Sequence, residues 1–99
     1  MDKKLRDTLL SLGITPNLKG FDYIVEMIKV IREEKEKTKI TVLYEVVGRK
    51  AGASGTRVER AIRHAISKVD IEKWINMGGS YKFKNSGFLY TLELLTREE

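Results

Sequence analysis

The segment from Ser54 to Ile66, SGTRVERAIRHAI, combines an apolar stripe with a basic surface. Its apolar side chains recur at the i, i+3, i+4, i+7, i+8 spacing of a helix with one buried face: Val58, Ala61, Ile62, Ala65 and Ile66. On a helical wheel the charged side chains lie opposite this stripe, and Glu59, Arg60 and Arg63 form their centre. Ser54 has the short side-chain oxygen that favours a helix N-cap. We therefore predict an amphipathic helix over about 54–68 with a cationic outer face.

The residues before this helix predict a partner helix and a tight turn. The segment 40–50, ITVLYEVVGRK, has apolar residues at helical spacing. Its β-branched residues also fit a strand, but Gly48 and the segment that follows favour a helix. Ala51–Ala53 form the turn, and the small residues at 48, 51 and 61 imply that two helices cross closely. The pattern predicts a helix-turn-helix at about 40–50 and 54–68, a motif typical of DNA-binding domains.

Two helices are predicted in the N-terminal part of the chain. The first covers 2–12; Asp2 caps it, and Gly13 ends it. The second is amphipathic and extends from Phe21 to Lys35.

The C-terminal part admits two interpretations. Asp70–Met77 predicts a short helix that carries Ile71, Trp74 and Ile75, and we assign Trp74 to the core rather than to an exposed stacking platform. From Ser80 to Leu95 the sequence fits a β-hairpin, as in the wing of a winged-helix domain. A loop followed by a helix capped at Asn85 or Ser86 fits equally well.

Length and composition limit the classes of protein that the chain can belong to. Its 99 residues suit a single domain over 1–99, and 41% hydrophobic with 33% charged residues is a globular balance. The sequence has no cysteine and one histidine, so we predict no disulfide, no metal site and no cofactor. Its apolar runs are far shorter than the ~20 residues of a membrane span. We expect a cytoplasmic protein. Because paired carboxylates, a nucleophile–base pair and a phosphate-binding glycine loop are missing, we expect no enzyme.

The positive charge is concentrated around the predicted helix-turn-helix. Residues 46–69 contain six basic residues and one acid, so the charge of this segment equals the formal net charge of the whole chain, +5. A local basic surface indicates a nucleic-acid partner, although a solubilising face is the alternative. This surface predicts binding to double-stranded DNA.

The residue types suggest a division of roles on DNA. Arg60 and Arg63 suit guanine edges in the major groove, and Glu59 suits the cytosine amino group. An ion pair between Glu59 and Arg63 is the alternative for that acid. The candidates for contacts to the DNA backbone are Ser54, Thr56, Arg57, His64, Arg49, Lys50 and Lys68.

The run RVERAIRHAI at 57–66 resembles the DNA-binding effector domain of the stage-zero sporulation response regulator family. The segments GITPNLKGFDYIVEMI (13–28), ITVLYEVVGRKAGAS (40–54) and NSGFLYTLELL (85–95) are similar to the family as well. The resemblance implies an all-α bundle of five or six helices, and hence a loop and helix over 80–95. It also implies that Glu59, Arg60 and Arg63 read bases of an element containing TCGAA. Tandem sites that bind a homodimer and contacts with RNA polymerase holoenzyme are further implications.

Two features depart from the family pattern. The family's regulators carry a phosphoaccepting receiver domain before this one, whereas Met1 stands almost at the start of the effector domain. We therefore expect either an excised domain or a free-standing relative without phosphorylation control. The segment Asp70–Lys84 is shorter than the region that the family uses for dimer and polymerase contacts.

Two other binding functions compete with sequence-specific DNA binding. A protein-interaction module of the same fold, without operator binding, would antagonise a full-length regulator or dock on polymerase. The joint presence of Glu59, Arg60 and Arg63 argues against this module, because a domain that had lost operator binding would not need to keep all three. Single-stranded RNA binding fits less well, since no Tyr or Phe interleaves with the basic helix to stack on bases.

Overall fold

The computed structural model describes residues 2–34, 36 and 38–97. Within these ranges the chain forms six α-helices and no β-strand: α1 (Lys3–Ser11), α2 (Lys19–Glu33), α3 (Ile40–Ala51), α4 (Gly55–Ile66), α5 (Ile71–Met77) and α6 (Asn85–Thr96). Every helix contributes at least one buried side chain to a shared hydrophobic core. The predicted all-α bundle is therefore confirmed, and the segment 80–95 is a loop and a helix rather than a hairpin.

Helix α1 is stabilised at both ends by the predicted residues. The Asp2 carboxylate accepts hydrogen bonds from the backbone N–H groups of Lys4 and Leu5, at 2.9 and 3.3 Å. Gly13 follows the helix with φ +93°, a left-handed conformation that glycine adopts without steric cost. Its N–H donates to the Leu10 carbonyl at 3.1 Å, so the chain turns away and leads into α2.

Helix α2 packs against α1, α3, α4 and α6. It begins at Lys19, two residues before the predicted start at Phe21, because the Leu18 carbonyl already accepts from the Phe21 N–H at 3.0 Å. The last helical residue is Glu33, and the predicted end at Lys35 lies outside the described residues.

The turn between α3 and α4 requires glycine at two positions. A Cβ on the buried Gly48 would lie 2.5 Å from the Ala53 carbonyl oxygen, so only glycine lets the turn approach α3 this closely. Gly52 ends α3 in the left-handed region with φ +70°. Helix rather than strand over 40–50 is confirmed, and Gly48 has its predicted role at the close approach.

The other two small residues of the predicted crossing have different surroundings. Ala51 is exposed at the end of α3, so its assignment to the crossing was wrong. Ala61 lies in the close approach of α4 to α2, where a Cβ on Gly20 would be 2.4 Å from the Ala61 carbonyl oxygen and 2.6 Å from the Ala65 Cβ. The sequence pattern located a tight contact at Ala61, and the structure assigns it to α2.

Helix α5 is anchored by one aromatic side chain. Trp74 is fully buried, and its ring centroid lies 4.5 Å from that of Phe88 and 5.9 Å from that of Phe83. Its assignment to the core is confirmed. Ile71 and Ile75, which the sequence placed beside it, are 38% and 43% exposed.

The start of α6 differs from the predicted capping. The N-cap position is Lys84, and no side chain caps the helix there. Asn85 and Ser86, the predicted caps, are the first two residues of the helix. The Asn85 side chain bonds instead to a neighbouring helix.

Candidate nucleic-acid interface

Helix α4 has one face buried and one face exposed, as its sequence pattern predicts. Val58, Ile62, Ala65 and Ile66 are buried in the core. The exposed side chains of α4 and of the two residues after it are Thr56, Arg57, Arg60, Arg63, His64, Ser67 and Lys68. They include all the candidate cations of this segment. Because the apolar face packs on α2 and α3, the cationic face points toward solvent.

The first turn of α4 has the predicted Ser54 cap. The Ser54 Oγ accepts a hydrogen bond from the Arg57 N–H at 3.1 Å. The remaining N–H groups of the first turn have no acceptor within the helix, and such groups can donate to an anion. Ser54 and Thr56 are both exposed beside them.

Glu59 and Arg63 form an ion pair on this surface. The Arg63 Nη1 lies 3.4 Å from the Glu59 Oε1, one helical turn away. The Glu59 side chain is 30% exposed and that of Arg63 is 66% exposed. The alternative interpretation of Glu59 as a partner of Arg63 is therefore realised in the free protein. Such an exposed pair contributes only about 0.3–0.5 kcal/mol, so DNA bases can compete with it for both side chains.

Arg60 occupies a different position from its two neighbours in the predicted trio. It is exposed and takes part in no ion pair with any residue of the described ranges. The helical wheel placed Glu59, Arg60 and Arg63 together at the centre of the charged face. In the structure Glu59 lies half-buried at the edge of that face, which leaves Arg60 and Arg63 as its more exposed members.

The remaining candidate cations lie at the two ends of the surface. Arg49 and Lys50 are exposed in the last turn of α3, where positive charge is favourable at a helix C-terminus. The short turn places them near the start of α4. Lys68 lies beyond the C-terminal end of α4. A helical rise of about 1.5 Å per residue places it about 18 Å from Thr56. The cations therefore line a surface long enough for several phosphates.

No sequence pattern indicates the contacts that support α4 from the side of α6. The Asn85 Nδ2 donates to the Glu59 carbonyl oxygen at 3.2 Å. Tyr44 of α3 is buried close by; burial raises the pKa of its hydroxyl, and a hydrogen bond from Asn85 opposes that rise. Tyr44, Glu59, Arg63 and Asn85 line one cavity of about 620 Å³. An asparagine at a helix start is read from sequence as a cap, so nothing in the pattern distinguishes this role.

The order of α3, a glycine turn and an amphipathic cationic α4 within an all-helical bundle defines a helix-turn-helix domain. A model of the family described as "Sporulation initiation factor Spo0A C terminal" matches residues 5–93. The chain belongs to this family, which is a regulatory DNA-binding family of sporulation transcription factors rather than an enzyme family. The predicted family resemblance is confirmed.

No helix within the described part of the chain is both long and apolar enough to span a membrane.

Proposed function

We propose that this chain is a sequence-specific transcription regulator that binds double-stranded DNA, with α4 as its recognition helix in the major groove. One observation carries the proposal: Arg57, Arg60, Arg63 and His64 are all exposed on one face of α4, while the opposite face is buried in the core. A recognition helix requires this division, because it must expose its base-reading side chains while the domain holds it rigidly.

Within this surface, Glu59, Arg60 and Arg63 are the proposed base-reading residues. Each arginine can donate two hydrogen bonds to guanine, and the glutamate can accept one from cytosine. The proposed contacts to DNA phosphates come from both ends of the surface: Arg49, Lys50, Ser54, Thr56, Arg57, His64 and Lys68. All of these residues except the half-buried Glu59 are exposed, so their side chains can reach DNA.

Fluorescence anisotropy tests the proposal directly. The purified chain would be titrated on a labelled duplex containing TCGAA and on a scrambled duplex of equal length, over a series of salt concentrations. We expect a preference of about tenfold or more for the TCGAA duplex, equivalent to about 1.4 kcal/mol. The preference should persist as salt rises, although both affinities fall, because base contacts release fewer counterions than phosphate contacts do.

A charge-matched control separates the interface from general charge. Lys29→Ala removes one exposed cation from α2 and should leave the preference unchanged. Arg63→Ala removes one exposed cation from α4 and should reduce it. Equal, steeply salt-dependent binding of both duplexes by the unaltered chain would contradict sequence-specific recognition.

We extend the proposal to a homodimer on tandem sites, a contact with RNA polymerase holoenzyme and a cytoplasmic, nucleoid-associated location. The whole unit would be a single domain over 1–99. Analytical ultracentrifugation with one-site and two-site duplexes tests the dimer, since a second copy should bind more tightly than the first.

A protein-interaction module is the second candidate function. The observation that favours it is the exposed apolar pair Ile71 and Ile75, one turn apart on α5. This candidate predicts that the chain binds a protein partner while both duplexes bind equally. Substitution of both isoleucines by serine would then abolish partner binding and leave DNA binding unchanged.

A further inference from the structure

Asn85 begins α6, but its side chain reaches α4 rather than its own helix. Its Nδ2 donates to the backbone carbonyl oxygen of Glu59 at 3.2 Å, across 26 positions of sequence. The bond is partly buried, which protects it from exchange with water. The start of α6 is therefore linked to the middle of α4, at a residue that we propose reads DNA.

The Glu59 carbonyl does not need this bond in order to be satisfied. Because α4 spans Gly55–Ile66, the same oxygen accepts the N–H of residue 63 within the helix. A carbonyl oxygen has two lone pairs, and the Asn85 amide uses the second one. Removal of the amide leaves no orphaned carbonyl on α4. What it removes is a constraint on how α4 is rotated against α6.

Tyr44 lies beside the Asn85 amide on the side of α3. It is 6% exposed, and the Asn85 side chain opposes the rise in the pKa of its hydroxyl that burial causes. Both residues line the cavity beside α4, together with Glu59 and Arg63. Residues of α3, α4 and α6 thus line one cavity around this amide group, and they include both members of the Glu59–Arg63 ion pair.

The two kinds of DNA contact depend differently on the rotation of α4. Hydrogen bonds to base edges require the side chain to be placed within about 0.5 Å of the productive geometry. Phosphate contacts from long, flexible cations follow the net charge of the surface and tolerate larger shifts. A constraint on α4 therefore affects discrimination between sequences far more than general affinity.

We propose that Asn85 is a positioning residue for sequence recognition: its amide holds the Glu59 carbonyl and fixes the rotation of α4, so that Glu59 and Arg63 meet the base edges in register. The inference rests on the proposed function of α4 as a recognition helix. Asn85 itself touches no DNA base in this arrangement, and it acts through Glu59.

The test is the Asn85→Ala variant of the full chain, with Asn76→Ala as its matched control. Asn76 is exposed on α5 and makes no hydrogen bond within the described ranges, so the control removes the same chemical group from a neutral position. Anisotropy would be measured on the TCGAA duplex, on its single-base-pair variants and on the scrambled duplex. We expect Asn85→Ala to reduce discrimination about three- to tenfold, the value of one hydrogen bond, with affinity for the scrambled duplex unchanged. Asn76→Ala should discriminate like the unaltered chain.

A mutant cycle in a Glu59→Ala/Arg63→Ala background shows whether Asn85 acts through these two side chains. The background keeps the Glu59 backbone carbonyl, and so the bond to Asn85, but removes the side chains that the bond positions. We expect Asn85→Ala to cause a much smaller further loss of discrimination in this background, because the positioned side chains are already absent. Full additivity would overturn the inference. Urea unfolding of each variant shows whether the domain remains folded, and an equal loss of affinity for all duplexes would also overturn the inference, since it marks a general structural defect.

The failure of the inference is distinguishable from the failure of the proposed function. If the unaltered chain discriminates and Asn85→Ala discriminates equally, the positioning role of Asn85 is wrong and the recognition helix stands. If the unaltered chain does not discriminate between duplexes, the proposed function fails, and the inference fails with it.

Discussion

The Arg32 guanidinium lies 2.8 Å from the Asp2 carboxylate and so joins the end of α2 to the start of α1. The same guanidinium lies 3.4 Å from the Glu93 carboxylate and donates to the Thr96 hydroxyl at 2.9 Å. Arg97 pairs with Glu93 as well, through an N–H that donates at 2.9 Å. We refer to these five residues as the Arg32 cluster. It links three helix ends with polar contacts: the start of α1, the end of α2 and the end of α6.

Both acids of the Arg32 cluster should make stability depend on pH. Burial opposes the ionisation of Asp2, but hydrogen bonds from Arg32 and the Leu5 N–H outweigh it and lower the pKa below 3.8. The hydrogen bond from Arg97 is the main cause that lowers the pKa of Glu93 below 4.5. Because the folded pKa values are the lower ones, this stabilisation is complete above the unfolded values and is lost as pH falls through the folded ones.

We therefore expect the free energy of unfolding to be nearly constant from about pH 7 to pH 5.5 and to fall below about pH 4. Urea unfolding at a series of pH values measures this. Asp2→Asn is the informative variant, because asparagine still caps α1 but has no charge to lose. Its stability should fall less steeply in acid than that of the unaltered chain, and an identical slope would contradict the assignment.

Removal of Arg32 should destabilise the fold more than removal of an exposed cation. Arg32→Ala leaves the carboxylate of Glu93, whose side chain is 6% exposed, with Arg97 alone, and we expect a loss of about 1–3 kcal/mol. Lys29→Ala is the control on the same helix: its pair with Glu26 is 3.6 Å long and exposed, so we expect less than about 0.5 kcal/mol. Equal losses in urea unfolding would show that the Arg32 cluster behaves as an ordinary surface pair.

The contact between α2 and α4 should not tolerate a single methyl group at Gly20. A Cβ there would lie 2.4 Å from a backbone oxygen of α4, which cannot rotate away as a side chain can. We expect Gly20→Ala to cost about 1–3 kcal/mol or more, because the two helices must separate. Thermal unfolding followed by circular dichroism measures the loss.

Gly87→Ala is the matched control, and it should have the opposite sign. The new Cβ would lie 3.9 Å from its nearest neighbour, the Phe83 Cβ, and it would replace glycine within α6. We expect a gain of about 0.5–1 kcal/mol from reduced backbone entropy in the unfolded chain. An equal loss from both substitutions would indicate that the close packing between α2 and α4 is not what makes Gly20→Ala destabilising.

The sequence predicts this fold well wherever local pattern and tertiary packing agree. In α4 the apolar stripe, the Ser54 cap and the outward cations all coincide. The cap and four of the five predicted apolar positions are confirmed, while Ala61 is only partly buried and the helix ends at Ile66 rather than at 68. In the segment 80–95 they disagree, because alternation in SYKFK indicates a strand that the fold does not form. Phe83 lies instead against Trp74 as part of the aromatic core, a contact that periodicity does not reveal.

Only the exposed side chains of the candidate site are predictable from the sequence. Charge and helical spacing identify the exposed cations of α4 because these properties are local to one helix. The support from Asn85 and Tyr44 joins residues of three helices, and no local pattern encodes it. The half-burial of Glu59 has the same origin: a helical wheel for α4 alone does not include the neighbours that cover one edge of its polar face.

Arg60→Ala and Lys68→Ala should weaken DNA binding in different ways. Arg60 is exposed on the outer face of α4, and we expect its removal to cost about 1–3 kcal/mol on the TCGAA duplex and to relax specificity at one base pair. Lys68 follows the helix, where a phosphate contact would be independent of sequence. Its removal should weaken all duplexes alike and reduce the slope of log affinity against log salt by about 1. Anisotropy on the TCGAA duplex and its single-base-pair variants, at several salt concentrations, separates the two effects. Identical behaviour of the two variants across sequences would show that Arg60 does not read a base, and α4 would then contact DNA by charge alone.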